Sequence, residues 1–555
     1  MKRTLRSLVP LFLAASVGVA AQVTNDRLLR AADEPQNWLT YSGNYAGHRH
    51  SALRQITPGN VGNLEMKWIF QNQVFGSWES SPLVLDGVMY LTQRPNDVIA
   101  IDAKTGRIFW IYNYVGSPDF KVCCGANNRG LAILGHTLFM GTLDAHLVAL
   151  DARTGRPLWN IKVAEFSHGY SLSHAPLVVK DKVIVGVGGG EFGIRGFIAA
   201  YDAATGKEAW RFYTVPAPGE PGSETWSGEA WKTGGGSIWV TGTYDPALNL
   251  TYWGTGNPGP DFNPAQRPGD NLYTNAVVAL DADTGTLKWH FQFTPGDRYD
   301  WDSTQVPVLV DSTWRGSPAK LLLLANRNGF FYVLDRVSGK FLLGKPFVKQ
   351  NWASGLDEHG RPIQTPQPPG ATTWPGQQGG TNWYSPSYSP RTGLFYVSAW
   401  ENMGGVYRSQ ESVYKPGGNF MGGGYRTTPA VPDAPVPPNI RRPTMNNWTD
   451  AAGHGAVIAI DPATGDRKWT FRMYDLTDSG ILTTASDLLF TGGRDGYFQA
   501  LDARTGELLW KSSFGSVQML SGPITYEVEG RQYVATIGGN VLAAYALRDE
   551  DTRRR

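Results

Sequence analysis

Two cysteines stand side by side, Cys123-Cys124, and the chain has no others. In an exported protein they are expected to oxidise. Neighbouring residues can bridge only through a strained eight-membered ring, because their Cα atoms lie about 3.8 Å apart, less than a disulfide usually spans. The alternative is a pair of free buried thiols. Strained features gather at functional sites, so the pair marks a place to look for chemistry. Other chemistry is excluded. No Cys-x-x-Cys-His occurs, so no c-type haem is attached covalently. No His/Cys set has zinc spacing.

Two carboxylates sit two residues apart in Tyr299-Asp300-Trp301-Asp302-Ser303. On a strand they would share a face and could reach one site. Glu191 lies inside Gly188-Gly189-Gly190-Glu191-Phe192-Gly193, where a solvated turn is the plainer reading. Ser237 and Trp239 follow Gly234-Gly235-Gly236, and Asn257 closes Gly254-Thr255-Gly256-Asn257-Pro258. Glycine admits close backbone approach, but each run alone is a weak signal.

A repeat must position these residues. Asp, two residues, Thr-Gly and then Trp recurs at Asp102…Trp110, Asp151…Trp159, Asp202…Trp210, Asp281…Trp289, Asp461…Trp469 and Asp502…Trp510. Asp335…Ser338-Gly339 lacks the Trp, and Pro390-Arg391-Thr392-Gly393 reads as a worn copy. Each copy follows a short apolar strand such as Leu147-Val148-Ala149-Leu150. The Asp starts a turn by binding nearby backbone, the Gly takes positive φ, and the next strand carries the Trp to a neighbouring sheet. A four-stranded blade needs about 40 to 50 residues. The spacing of 126 residues between Asp335 and Asp461 therefore predicts a degraded blade hidden there. The fold expected is all-β, an eight-bladed β-propeller with tryptophan-docking motifs. Two Gly/Pro-rich stretches, 216–231 and 404–443, exceed the blade unit and are expected to cap one end.

Composition agrees. Charged residues are 18%, while Gly (66), Trp (20) and Tyr (24) suit short strands, tight turns and stacked sheets. The net charge of +2 gives no basic stripe, which speaks against nucleic acid. Lys2, Arg3 and Arg6 precede an apolar run ending Val19-Ala20-Ala21. Residues 1–21 thus read as a signal peptide, leaving 22–555 as one propeller domain in the periplasm. The run is too short to span a bilayer, and no other transmembrane segment is expected.

With these motifs in place, the chain resembles the PQQ-dependent methanol and ethanol dehydrogenase family, and within it the lanthanide-dependent members. The likeness rests on Cys123-Cys124-Gly125-Ala126-Asn127-Asn128-Arg129-Gly130 and on the three Gly-rich runs. It implies pyrroloquinoline quinone (PQQ) between a Cys123-Cys124 disulfide ceiling and a Trp239 floor. Arg129, Glu79, Ser173, Ser237, Gly189, Gly190, Asn382 and Trp383 match cofactor contacts. Glu191 and Asn257 match metal ligands, and Asp300 matches the general base beside the ion. Asp302 matches an added carboxylate of lanthanide-using members, so the resemblance favours a lanthanide over Ca²⁺. Arg327 matches the cation near the quinone oxygens.

The resemblance implies oxidation of a small alcohol to an aldehyde, with electrons leaving singly to a separate cytochrome c-type acceptor. A homodimer is compatible with it. A PQQ-dependent polyol or polymer-alcohol dehydrogenase is the neighbouring alternative. A non-catalytic propeller scaffold would have no reason to carry the cysteine pair with Glu191, Asn257 and Asp300.

Overall fold

Each docking tryptophan of the sequence repeat reaches the blade that follows its own. In the computed structural model, which describes residues 22–428, 453–473, 475–515 and 518–549, the indole N–H of Trp110 donates to the Ala152 carbonyl at 3.1 Å. Trp159 reaches Ala203, Trp210 reaches Ala282 and Trp469 reaches Ala503 in the same way. The acceptor is always the residue after the Asp of the next turn. The ring lies on the glycine of that turn: a Cβ built on Gly155 would fall 2.5 Å from the Trp110 ring. The turn is pinned from inside, since the Asp151 carboxylate accepts from the backbone of Arg153 and Thr154 and Gly155 takes φ +71°. Asp, Gly and Trp are thus three parts of one joint, which explains why they recur together.

Eight such sheets form the propeller. Blades 1 to 5 span 83–112, 132–162, 177–213, 243–292 and 308–346. Blade 6 uses Ser387–Ser389, Leu394–Glu401, His454–Ile460 and Arg467–Arg472, and blade 7 spans 482–513. Blade 8 takes Ile524–Val528, Arg531–Gly538 and Val541–Leu547 from the C-terminal region and Leu64–Gln71 from the N-terminal one. Leu64–Gln71 pairs antiparallel with Val541–Leu547, which closes the ring of sheets. The middle strands of each blade are buried on both faces, for example Val277 to Leu280 and Leu321 to Leu324.

The blade count matches expectation, but its placement does not. Among the described residues no additional blade lies between Asp335 and Asp461. The turn at Asp335 belongs to blade 5 and the turn at Asp461 to blade 6. The long spacing is filled by a hairpin, Ala353–Leu356 with Pro362–Gln364, and by an insertion within blade 6. Arg391-Thr392-Gly393 is no docking turn; it joins the two innermost strands of blade 6. The eighth blade is the closing one, which has no Asp-Thr-Gly turn, and there Trp510 meets Tyr545 edge-on at 5.3 Å. Trp68, on the strand Leu64–Gln71, is a docking residue without a preceding motif and donates to Ala103 at 3.2 Å. In blade 5 Leu343 stands where a Trp would, against Gly465 of blade 6.

Of the two long stretches, 404–428 contains the hairpin Gly404–Ser409 with Gly423–Thr428. Its tip covers the site: Phe420 N–H donates to the Glu191 carbonyl at 2.7 Å and Phe262 N–H to the Met421 carbonyl at 2.9 Å. Residues 429–443 lie outside the described residues, as do the expected signal peptide at 1–21 and the C-terminal arginines. The 216–231 stretch packs against the connection between Leu250–Gly254 and Ala276–Asp281 of blade 4, where Pro221 accepts from the Tyr273 hydroxyl at 2.9 Å. No helix among the described residues is long and apolar enough to cross a membrane.

Candidate active site

The connections entering the blades converge on one cavity of about 350 Å³ at an end of the propeller. Cys123 and Cys124 are joined by a disulfide of 2.01 Å with Cα atoms 3.8 Å apart. Cys124 has φ +64°, a left-handed backbone that costs energy in a residue with a Cβ. Asn127 holds this loop down. Its amide donates to Glu79 at 2.7 Å and to the Cys124 carbonyl at 3.3 Å, and Ser77 donates to its oxygen at 2.8 Å.

Arg129 follows two residues later and is buried. It pairs with Glu79 at 2.6 Å and donates to the Ser173 hydroxyl at 3.2 Å. Its guanidinium lies 5.0 Å from the centre of the Trp239 ring and 4.9 Å from that of Trp383. Burial pushes the Glu79 carboxyl up in pKa, and Arg129 opposes this. The Nε of Arg129 is buried without an acceptor.

Opposite this group lie the acids. Asp300 and Asp302 are not on a strand, where alternation would have given them one face. They occupy an irregular link between Leu287–Gln292 and Val308–Trp314, with Asp300 at φ +60°. The cause is Asp297, whose carboxylate accepts the backbone N–H of Tyr299 at 3.0 Å and of Trp301 at 2.9 Å. With those donors taken by a side chain, the link cannot pair as a strand. The two acids still meet, around Arg327. Its Nη1 donates to Asp302 at 2.6 Å and its Nη2 stands 3.8 Å from Asp300. Gln377 donates to Asp300, and Asn257 N–H donates to Asp302 at 2.8 Å.

The electrostatics are those of crowded, buried carboxylates. Burial raises Asp300 well above its ordinary range, with Asp302 and Glu191 adding and Arg327 opposing. Burial likewise raises Asp302, against Arg327. Glu191 is pushed up to about 7, by burial first and then by Asp302. One Glu191 oxygen lies within 4.8 Å of both cysteine sulfurs, which sets it close under the disulfide.

The structure therefore brings together Glu79, Cys123, Cys124, Arg129, Ser173, Gly189, Glu191, Ser237, Trp239, Asp300, Asp302, Arg327, Asn382 and Trp383 on one wall-lined space. Gly190 and Asn257 sit just behind the lining: a Cβ on Gly190 would stand 3.8 Å from the Asn257 side-chain oxygen and 3.3 Å from the Ser237 hydroxyl. Sequence reasoning missed Gln377, Tyr384, and the Arg494–Asp478 pair at 2.5 Å, all of which line the cavity. It also missed Asp261, fully buried four residues after Asn257. Gln377 had a signal in Gly376-Gln377-Gln378-Gly379, a polar run between glycines.

A flat, anionic quinone and a cation fit this lining. A half-buried indole, Trp239, faces a cavity that also holds the disulfide. Arg129 Nε and Arg327 Nε are buried donors with nothing to donate to, as an acidic ligand would require. A Cβ on Gly189 would fall 2.1 Å from the Gly169 carbonyl, so only glycine lets this backbone line the wall. The acids supply hard oxygen atoms of the kind large cations take.

Fold and site together define a quinoprotein-type β-propeller. Residues 38–346 and 476–534 match the PQQ family described as glucose/ethanol/alcohol dehydrogenase, β-propeller domain. The chain is 40% identical to the quinoprotein alcohol dehydrogenase PedH of Pseudomonas putida KT2440, over 94% of this chain and 89% of that one. It is 38% identical to the lanthanide-dependent methanol dehydrogenase of Methylacidiphilum fumariolicum SolV, over 93% and 86%. Among solved structures, a europium-containing methanol dehydrogenase superposes with TM-score 0.86 at 34% identity, covering 94% of this chain and all of that one. The quinohaemoprotein alcohol dehydrogenase ADH-IIG of Pseudomonas putida HK5 gives 0.87 at 35%, covering 95% and 83%. The chain belongs to the PQQ-dependent alcohol dehydrogenase family.

Proposed function

We propose that this enzyme is an exported, periplasmic protein that oxidises a primary alcohol to an aldehyde with a lanthanide ion in its site and passes electrons to a separate cytochrome c-type acceptor. The observation that carries the metal assignment is Asp302, buried beside Asp300 and Glu191 and joined to Asp300 through Arg327. An extra carboxylate there adds negative charge that a trivalent ion matches better than Ca²⁺ does. Glu191, Asn257, Asp300 and Asp302 would hold the ion, and Arg129, Glu79, Ser173 and Ser237 would bind the polar groups of PQQ, with Trp239 and the disulfide offering it apolar faces. Bound together, the quinone supplies the acceptor for two electrons and the ion supplies Lewis-acid polarisation.

The chain supplies the rest. With a cation beside them the acids would favour their charged forms, which would leave Asp300 able to act as a base. Asp300 then takes the alcohol's hydroxyl proton. Gln377 fixes the orientation of Asp300 by donating to it. Arg327 keeps a positive charge where negative charge develops; burial opposes that charge, while Asp300 and Asp302 raise its pKa. The missing haem motif leaves electron export to a second protein, and residues 1–21 supply the signal for export.

Reconstitution with PQQ plus either Ca²⁺ or a lanthanide, scored by dye-linked alcohol oxidation, tests this reading. The lanthanide form should be the more active. Asp302→Ala should abolish lanthanide-supported turnover and keep some with Ca²⁺. Full lanthanide-supported activity in that variant overturns the metal assignment.

A further inference from the structure

Asp261 is 0% exposed, and neither of its carboxylate oxygens makes a well-formed hydrogen bond; the side chain within its reach is that of Asn257. No basic side chain of the described residues forms an ion pair with it. The guanidinium of Arg267, whose charge acts on Asp261, is spent elsewhere: it donates to the main-chain carbonyls of Pro260 at 3.1 Å and Asp261 at 3.0 Å, and to the Asn271 side chain at 2.9 Å. An ionised carboxylate buried in this way is strongly disfavoured unless a cation compensates it.

Its surroundings fix where that cation would be. Asp261 lies on the segment that begins at Asn257, whose backbone N–H binds Asp302. On its other side is the tip of the blade 6 hairpin, where Phe262 N–H meets Met421 and Phe420 N–H meets the Glu191 carbonyl. The side chain after it, Phe262, packs on Tyr407 at 6.2 Å, and Tyr407 packs on Tyr299 at 5.1 Å, the residue before Asp300. After burial, the charges that most raise the Asp261 pKa are Asp300 and Glu191. The backbone agrees with this placement: a Cβ on Gly259, two residues before Asp261, would stand 3.6 Å from the carbonyl of Gly190, the residue before Glu191.

We propose that Asp261 is a fourth carboxylate of the cation site and that it tunes the site to a trivalent ion. This rests on the reading of the site as a cation centre. With Glu191, Asp300, Asp302 and Asp261 ionised and Arg327 protonated, the cluster carries three net negative charges. The charge that Asp261 adds attracts a trivalent ion more strongly than a divalent one, since Coulomb energy scales with the charge of the ion. Asp261 needs no direct bond to the ion for this, because buried charges act over several ångströms with little screening. Its place next to Asn257 gives it a second route, through the orientation of a ligand.

The test is a titration of PQQ-loaded, chelator-treated protein with Tb³⁺, followed by tryptophan-sensitised luminescence, with Ca²⁺ as competitor. Asp261→Asn should weaken Tb³⁺ binding by about 10- to 100-fold, the range seen when outer partners of a metal site are removed. Coulomb energy scales with ion charge, so the logarithm of the Ca²⁺ loss should be about two-thirds as large. In the metal-free state the variant should melt close to the parent, because without a cation the buried acid is neutral and the amide is of nearly the same shape. Should the amide variant not fold, Asp261→Ala makes the same charge change and carries the same expectation. Unchanged Tb³⁺ affinity, or an equal loss for both ions, overturns the role of Asp261 while leaving the site reading intact. A parent protein that binds neither ion overturns both.

Discussion

The rim and the hub of this propeller solve opposite problems with the same residue types. At the rim, Asp carboxylates are fully used: Asp151 accepts backbone N–H groups, and its pKa is held low by the Arg153 side chain and those bonds. Around the hub, Asp261, Asp300 and Asp302 are buried, crowded and raised in pKa. The rim repeats one joint blade after blade, so each copy shares the load. The hub draws single side chains from different connections, and none can replace another. Stability is therefore distributed at the rim, and chemistry is concentrated at the hub.

The sharpest way to break that contrast is Asp300→Asn. It should lower turnover by about 10³-fold, within the range for loss of a positioned base, with little loss of thermal stability. Steady-state kinetics on the reconstituted enzyme, with Tm measured alongside, checks both halves. A variant that keeps its turnover would move the base to another residue.

Next in size is a rim variant. Trp210 is buried, donates to Ala282 at 3.1 Å and covers Gly285. Trp210→Ala should cost about 3–4 kcal/mol, as for large aromatic truncations in cores, read as a lowered Tm. The properly folded fraction should retain its specific activity. If activity per folded molecule falls as steeply as Tm, rim and hub are not separable.

What could be read in advance follows the same division. The joints were legible because Asp, Thr-Gly and Trp must occur at fixed offsets for one turn to receive one ring. Leu343 and Trp68 show the limit: one keeps the place without the ring, the other the ring without its own motif. The hidden blade was misplaced because the ring closes with a strand from the far end of the chain, and spacing between motifs carries no trace of that. At the hub, Cys123-Cys124, Glu191 and Asp302 were legible from their flanks. The backbone around Asp300 was not legible, because alternation takes no account of Asp297 capturing the N–H groups of Tyr299 and Trp301. Asp261 and Arg494–Asp478 lacked any local pattern, since their meaning depends on burial and on partners far away in sequence.

The smallest predicted effect lies where rim-like satisfaction enters the hub. His174 follows the cavity residue Ser173 and is 1% exposed. Its Nε2 accepts the Gly186 N–H at 2.9 Å and its Nδ1 faces the Ala175 carbonyl at 2.8 Å, so the neutral ring protonated on Nδ1 satisfies both. A second proton on Nε2 would set two donors against each other. Burial accordingly lowers the His174 pKa from 6.5 to about 4. Between those values the unfolded chain binds a proton that the folded one does not, so stability present above pH 6.5 is lost as pH falls toward 4. The difference corresponds to at most about 3 kcal/mol. His174→Gln, which offers a donor and an acceptor but no titration, should show a shallower fall in Tm between pH 7 and pH 4.5. Other acids and histidines titrate in both proteins, so the difference between the two curves isolates this ring. Parallel curves would mean that His174 does not couple protonation to folding and that the hub's pH response belongs to its carboxylates alone.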